Sequence, residues 1–508
     1  MVKKYIPSLC TGVFLISSFP PFNLYPLAWI AFLPLLKSIM GKTPVYAFRM
    51  GFFCGCVFFL GILYWIVYAL AYYGNIPLIF SLLLFFLLVL YLALYFGVFC
   101  YFIQLIPSIK ELPIFIAALW TSLEYIRAHF ISGFPWDLLG DSQYKWLSFI
   151  QMADLGGVYL LSFFVMWGNA TLFEWFNKRN KKFYLNLLLF CLCFILALFY
   201  GQNRLCFWQK RSLSAPKLKI SLIQGNIDQG QKWDPSFQEA TIKIYKTLTK
   251  EMLKDQPSLI IWPETALPFY FEQPSPLREE VLALAKHINT SLLVGSPAYE
   301  GSDEVRFFNR AYLVDAKAKV IGCYDKVHLV PFGEYTPGYK WFPFLSSIIP
   351  ALGNFSAGKN LTPLCLNHNY CLAVLICFEG IFPELSRKTA GKGASFLVNI
   401  TNDAWFGRTS APYQHLAMAA MRTVENRRAM ARCANTGFSA FIDPTGHITK
   451  KTKLFKRIHL TANLPLIKEN TFYTLHGDIL AFICLGGIFI LGIKDVKRRL
   501  LWKKLKKD

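Results

Sequence analysis

Two textures divide the chain. From residue 1 to about 200, and again near 477–493, apolar residues run in long, nearly uncharged stretches. Between them, short apolar runs of strand length alternate with stretches of helical spacing. A membrane-crossing helix needs about 20 mainly apolar residues. The pattern predicts spans near 5–19, 24–40, 50–71, 78–105, 113–127, 157–175, 183–201 and 477–493. The first is short and flanked by Ser and Pro, as a signal peptide would be. No small-residue cleavage site follows it, and Pro20, Pro21 and Phe22 lead straight into the next span, so it reads as retained.

The middle block predicts strands at 219–227, 258–264, 291–297, 310–315, 319–326, 371–377 and 394–401, with helical spacing at 236–255, 277–289 and 412–432. Strands alternating with helices, together with hairpin-like pairs, describe a layered α/β domain. The expected organisation is a membrane domain of seven helices over 1–203, a globular domain over 204–470, and a last helix with a basic tail over 471–508.

Composition sharpens this reading. Apolar residues are 55% of the chain and charged residues only 16%, too few charges for an ordinary soluble protein of 508 residues. The formal charge of +23 could suggest nucleic acid, but many of the basic residues stand in loops between apolar spans. Lys3, Lys4, Lys37, Lys42, Arg49, Lys110, Lys178, Arg179, Lys181, Lys182 and the Lys/Arg-rich tail fall on one side, while the loops near 20–24 and 72–77 carry no Lys or Arg. The positive-inside rule then puts both ends in the cytoplasm and the middle block on the outer side, with no nucleic-acid partner. The 128–156 loop, with Trp136, Trp146, Asp137, Asp141 and Asp154, is open to two readings: a segment lying along or re-entering the outer interface, or a plain loop in an aromatic belt.

Of 13 cysteines, seven lie in apolar spans and no CxxC pair occurs, so neither a zinc ribbon nor a thioredoxin-type motif is supported. Cys365 and Cys371 flank a turn, LNHNY, and cross-strand geometry is demanding enough to leave their pairing open. Cys377 differs from the rest. It closes the apolar run Leu372 to Ile376 just before a helical pattern, where backbone amides and a helix dipole favour a thiolate. An isolated cysteine is more often a core filler, so its company decides. Glu264 follows LIIWP at a buried strand end, suiting a general base, although alone it could cap a helix or face solvent. Lys326 ends VIGCYDK, where an amine can hold an oxyanion or simply be solvated. A Cys-His pair would need a distant partner; His328, His415 and His447 are the candidates, each of which reads more readily as a satisfied structural histidine.

Taken together, WPET with Glu264, YDKVHLVPFGEY with Lys326 and Glu334, and ICFEGIFPE with Cys377 resemble the nitrilase (carbon–nitrogen hydrolase) superfamily. QGNIDQGQKWD, RFFNRAYL, LVPFGEYTP, VNITNDAWFG and MRTVENRRAMARCANTG, with the topology, resemble one family within it, the bacterial apolipoprotein N-acyltransferases. The resemblance covers essentially the whole chain. It implies a multi-span helical membrane domain plus an αββα sandwich, with Glu264, Lys326 and Cys377 as a catalytic triad. Glu334 and Glu379 match further functional glutamates, and Trp233 a tryptophan linked to substrate binding. Phe378 stands where the family usually has Tyr, which keeps the ring and the backbone N–H but loses the phenol.

The implied reaction moves a fatty acyl chain from a membrane phospholipid, through a Cys377 thioester, to the α-amine of a diacylglyceryl-apolipoprotein. It implies no metal or cofactor, a monomer, and an inner-membrane location with the catalytic domain in the periplasm. The apolar stretch 341–355 and the WFG segment at 405–407 read either as lids dipping into lipid or as core packing. The rival readings are a membrane-tethered amidase and a non-enzymatic scaffold or transporter with a nitrilase-like appendage.

Overall fold

The computed structural model describes residues 2–110, 112–177, 181–301, 305–336, 354–367 and 370–504. The chain divides into two compact units. The first comprises Met1–Tyr64, Ile79–Arg204 and His476–Asp508; the second takes in Trp65–Leu78 and Leu205–Leu475.

The first unit is helical because lipid offers no partners to open backbone. Among the described residues five helices are long and apolar enough to cross a membrane: Pro44–Leu63, Leu78–Leu105, Ala153–Phe176, Lys181–Ser214 and Ile479–Arg498. The first of these opens on Thr43, whose hydroxyl accepts from the Tyr46 N–H, followed by Pro44 in the first turn. Small residues let backbones approach: a Cβ on Gly51 would lie 2.3 Å from the Phe96 carbonyl oxygen.

Other predicted spans are shorter. Residues 6–18 form a helix of 13 residues and 113–129 one of 17. The stretch 24–40 is not one helix: a 3-10 turn, Tyr25–Trp29, precedes Leu33–Ile39. Pro26 and Pro34 each remove a backbone donor there, which divides the run. The apolar run 50–71 also stops early, at Leu63, and continues as a short helix Trp65–Tyr68 and a π turn Ala69–Tyr73.

The loop 128–156 folds into the first unit rather than standing out from it. Trp136, Asp137, Asp141 and Asp154 are all buried. Arg127 donates to the carbonyls of Phe134 and Trp136, and the Leu139 N–H donates to Glu124 at 2.7 Å.

The second unit is an αββα sandwich. One sheet has the order β12-β1-β2-β3-β4-β5 and the other β11-β10-β9-β8-β7-β6. In chain order the strands are β1 Lys217–Gln224, β2 Leu259–Ile261, β3 Ser291–Glu300, β4 Arg306–Val314, β5 Val320–Asp325, β6 Leu364–Asn367, β7 Tyr370–Ile376, β8 Phe396–Thr401, β9 Met430–Ala434, β10 Ala440–Ile442, β11 Ile448–Lys451 and β12 Ile458–Pro465. β1, β2 and β3 run parallel to one another, as do β7, β8 and β9.

Side-chain alternation builds two apolar layers. Ile220, Leu222, Leu293, Val374, Ile376 and Val398 fill the space between the sheets. Ile223, Trp262 and Val294 face the helices Gln238–Glu251 and Pro276–Ile288 through Ile242, Tyr245 and Val281. Helices Pro383–Gly391 and Ala411–Asn426 belong to the other sheet.

The expected helix 412–432 is corrected. It ends at Asn426, Arg427 turns left-handed at φ +51°, and 430–434 becomes the strand β9 between β8 and β10. RRAMARCA has good helix formers, but the sheet supplies Arg432 with buried partners that a helix would not. The pattern also misses β6, β10, β11 and β12, which are short or partly polar. Cys365 and Cys371 sit opposite each other on β6 and β7 and are disulfide-bonded.

Leu222 is fully buried between the sheets. Leu222→Ala should cost about 2–5 kcal/mol and lower the thermal midpoint of the detergent-solubilised protein. An unchanged midpoint would deny the inter-sheet layer its part in holding the unit.

Candidate active site

The exits of β2, β5, β7 and β8 bring the candidate residues together. Glu264 leaves β2 through Trp262 and Pro263, and the next residue, Thr265, turns back in the left-handed region at φ +45°. That turn lies so close to β3 that a Cβ on Gly295 would fall 2.6 Å from the Thr265 nitrogen and 2.9 Å from the Glu264 Cα. Only glycine leaves room there.

The Glu264 carboxylate is buried and held at both oxygens. Oε1 accepts from Asn309 Nδ2 at 2.8 Å, and Oε2 from the Asn402 N–H at 2.8 Å. Lys326, just past β5, places Nζ 3.8 Å from Glu264 Oε1 and 2.9 Å from Glu334. Asn309 also donates to Glu334 at 3.0 Å, so one amide spans both carboxylates. Burial opposes the charge on Lys326, but Glu334 and Glu264 outweigh it and hold the ammonium above its ordinary pKa.

Cys377 opens the 3-10 turn Cys377–Ile381 with φ +53°, an unusual backbone state for a residue with a side chain. Burial first, and then the Glu264 charge, push its thiol pKa up, against the pull of Lys326 and Thr401. This corrects the expected thiolate. The long helix begins only at Pro383, and enclosure outweighs backbone dipoles. The enclosure thus favours the protonated thiol over the thiolate.

Glu379 is a strut beneath the site. Its carboxylate accepts from the N–H groups of Val327, His328 and Ile376 at 2.7, 3.0 and 2.7 Å, and from the Tyr324 hydroxyl at 3.0 Å. It thereby ties the end of β5 to the end of β7. Burial raises its pKa to about 7, against those donors. Phe378 is buried, with its ring 5.1 Å from Phe382 and 5.9 Å from His328.

Trp233 is 48% exposed. His415 bonds the Cys377 carbonyl at 3.2 Å and Asp403 at 3.1 Å, and the His328 ring lies tilted against Phe382 with centroids 3.8 Å apart. His447 pairs with Asp443 on the surface. Asp403 is held well below the usual carboxylate range because Arg432, His415 and Thr401 overcome its burial.

Several site residues carry no individual signal in the sequence. Asn309 and Asn402 fix Glu264, Gln229 accepts from Asn402 at 2.5 Å, and Lys232 reaches the Glu264 carbonyl at 3.2 Å. All four lie inside segments that carry the family resemblance, which is the one clue that could have singled them out. Of the WFG segment, Trp405 stands 5.6 Å from Tyr73 and Phe406 4.7 Å from Trp65, so it packs on the 65–78 segment of its own unit. Residues 341–353 of the other expected lid lie outside the described residues. Among the described residues no group of three or more His, Cys, Asp or Glu is placed to hold a metal ion.

An αββα sandwich that gathers Glu264, Lys326 and Cys377 past the ends of β2, β5 and β7 has the architecture of the nitrilase class. Consistent with that class, the carbon–nitrogen hydrolase family profile matches residues 219–468, and the apolipoprotein N-acyltransferase N-terminal domain profile matches 11–171. Apolipoprotein N-acyltransferase of Geobacter metallireducens is 42% identical over 98% of this chain and 96% of its own. That of Chlorobaculum tepidum is 31% identical over 98% and 97%. The crystal structure of Saccharomyces cerevisiae Nit3, a nitrilase-superfamily member, covers 49% of this chain and 90% of its own at TM-score 0.39 and 21% identity. The chain belongs to the apolipoprotein N-acyltransferase family, and it is a membrane protein.

Glu379→Gln replaces an acceptor oxygen by a donor that must face an N–H or the Tyr324 hydroxyl. The loss should be about 1–3 kcal/mol, read as a lower melting temperature together with weaker thiol reactivity. Wild-type values for both would show that the strut is dispensable.

Proposed function

We propose that the protein transfers a fatty acyl chain from a membrane phospholipid to the α-amine of the N-terminal diacylglyceryl-cysteine of apolipoproteins. The observation that carries this reading is that Lys326 and Glu264, 3.8 Å apart past the ends of β5 and β2, lie close enough to Cys377 after β7 for their charges to act on its thiol, in a member of this family. Glu264 takes the thiol proton as the sulfur attacks the ester carbonyl. Lys326 and backbone N–H groups, Phe378 among them, hold the tetrahedral oxyanion. The alkoxide of the lysophospholipid leaves with the proton from Glu264, and a Cys377 thioester remains. The acceptor amine then attacks the thioester, gives a proton to Glu264, and the amide departs as the thiol regains that proton.

A thioester waiting for an amine must be kept from water. The burial of Cys377, Glu264 and Lys326 supports this. The carboxylate of Glu334 keeps Lys326 charged throughout, and Trp233, half-exposed beside the site, suits contact with lipid or peptide. The distribution of Lys and Arg supports seven crossings before the catalytic unit and one after it. Both ends are then cytoplasmic, and the catalytic unit works as a monomer on the periplasmic face of the inner membrane.

Incubation with phospholipid carrying a labelled acyl chain should give an adduct released by hydroxylamine, which chases onto a diacylglyceryl lipopeptide with a free amine. Cys377→Ala should abolish it, and Glu264→Gln or Lys326→Met should slow it roughly 10²- to 10⁴-fold. Labelling that survives loss of Cys377, or turnover of small amides with no need for lipid, would sink the proposal.

A further inference from the structure

Lys232 lies on the turn between β1 and the helix Gln238–Glu251, next to half-exposed Trp233, yet is only 2% exposed itself. A lysine is enclosed in this way only when its ammonium is satisfied. Its Nζ donates to the Glu264 carbonyl at 3.2 Å and to the Thr265 hydroxyl. The turn it grips is strained, since β-branched Thr265 adopts φ +45°. The same segment contributes Gln229, which accepts from Asn402, and the Asn402 N–H holds Glu264 Oε2 at 2.8 Å. Residues 229–232 therefore fix Glu264 twice, at its backbone and at its carboxylate.

Glu264 and Glu334 face one ammonium, Lys326, and an ionised Cys377 adds a further negative charge. The charges whose influence reaches Lys232 are those of Glu264, on the turn after β2, and Cys377, on the turn after β7. Burial lowers the Lys232 pKa to about 8, and those two groups work against the fall. The grip on the turn is that of a protonated amine, so it weakens as pH rises through that value.

We propose that Lys232 is a positioning residue of the acyl transfer described above: its ammonium locks the Glu264–Thr265 turn and so holds the Glu264 carboxylate where it can take the Cys377 proton. The inference rests on that reaction for its purpose, but not for its test.

Alkylation of Cys377 by iodoacetamide reports the thiol without any lipid. In the full-length protein in detergent, Lys232→Met should slow alkylation at pH 7 roughly ten- to hundredfold. It should also remove an inflection near pH 8 from the wild-type rate–pH curve. Thr265→Val keeps the amine but deletes an acceptor that stabilises its charged form, so the inflection should move to lower pH. Superimposable curves for wild type and Lys232→Met would overturn the proposal. If Lys232→Met does not fold, Thr265→Val decides alone, and an unmoved inflection overturns it. Alkylation that behaves as expected in a protein that never takes acyl chains from phospholipid would count against the donor and leave the role of Lys232 standing.

Discussion

One ammonium shared between two carboxylates in a closed site sets the terms for the rest of the catalytic unit. Taking Lys326, Glu264 and Glu334 out of water costs several kcal/mol for each ion unless every lone pair and N–H is answered. Asn309 answers both carboxylates, the Asn402 N–H takes the second oxygen of Glu264, and the Val330 N–H donates to Glu334 at 2.8 Å. These groups come from β4, from the exit of β8 and from the chain beyond β5. Their spacing holds only while the two sheets keep a fixed register, so the apolar layer between the sheets is a condition of the chemistry as well as of the fold.

Beneath the ionic centre lies a second polar layer with a different task. Glu379 binds the strand end carrying Lys326 to the strand end carrying Cys377. Asp403, Arg432 and His415 form a buried set whose outermost bond reaches the Cys377 carbonyl. Neither layer activates the sulfur in advance. A protonated thiol is a weak nucleophile, so the proposed reaction ties attack to proton uptake by Glu264 at the moment substrate arrives. For a centre whose intermediate water would destroy, a sulfur that stays quiet until needed is the fitting resting state.

Much of this was legible in the linear pattern. Continuous apolar runs located β2, β7 and β8 because strands buried on both faces must be apolar throughout. Two residues that close such runs, Glu264 and Cys377, stood out as reactive groups at the end of apolar stretches. Arg432 shows where the pattern failed. Its strand reads as a continuation of the helix before it, because a central strand that carries a buried arginine breaks the alternation on which such readings depend. Lys232 and Asn309 failed for a related reason: a lysine or an asparagine near a turn ordinarily faces water, and nothing local says otherwise.

The sequence by itself settled the division into apolar and globular parts, the α/β character of the middle block, and the residue types able to do acyl chemistry. Those properties follow from local composition and periodicity. Only the tertiary structure decided that 65–78 folds with the catalytic unit, that burial pushes the Cys377 thiol pKa up, and that Lys232 faces inward at Glu264. Each of these depends on what closes over a residue from distant parts of the chain. Burial and the fields of remote charges are properties of the folded surroundings, and no window of neighbouring residues contains them.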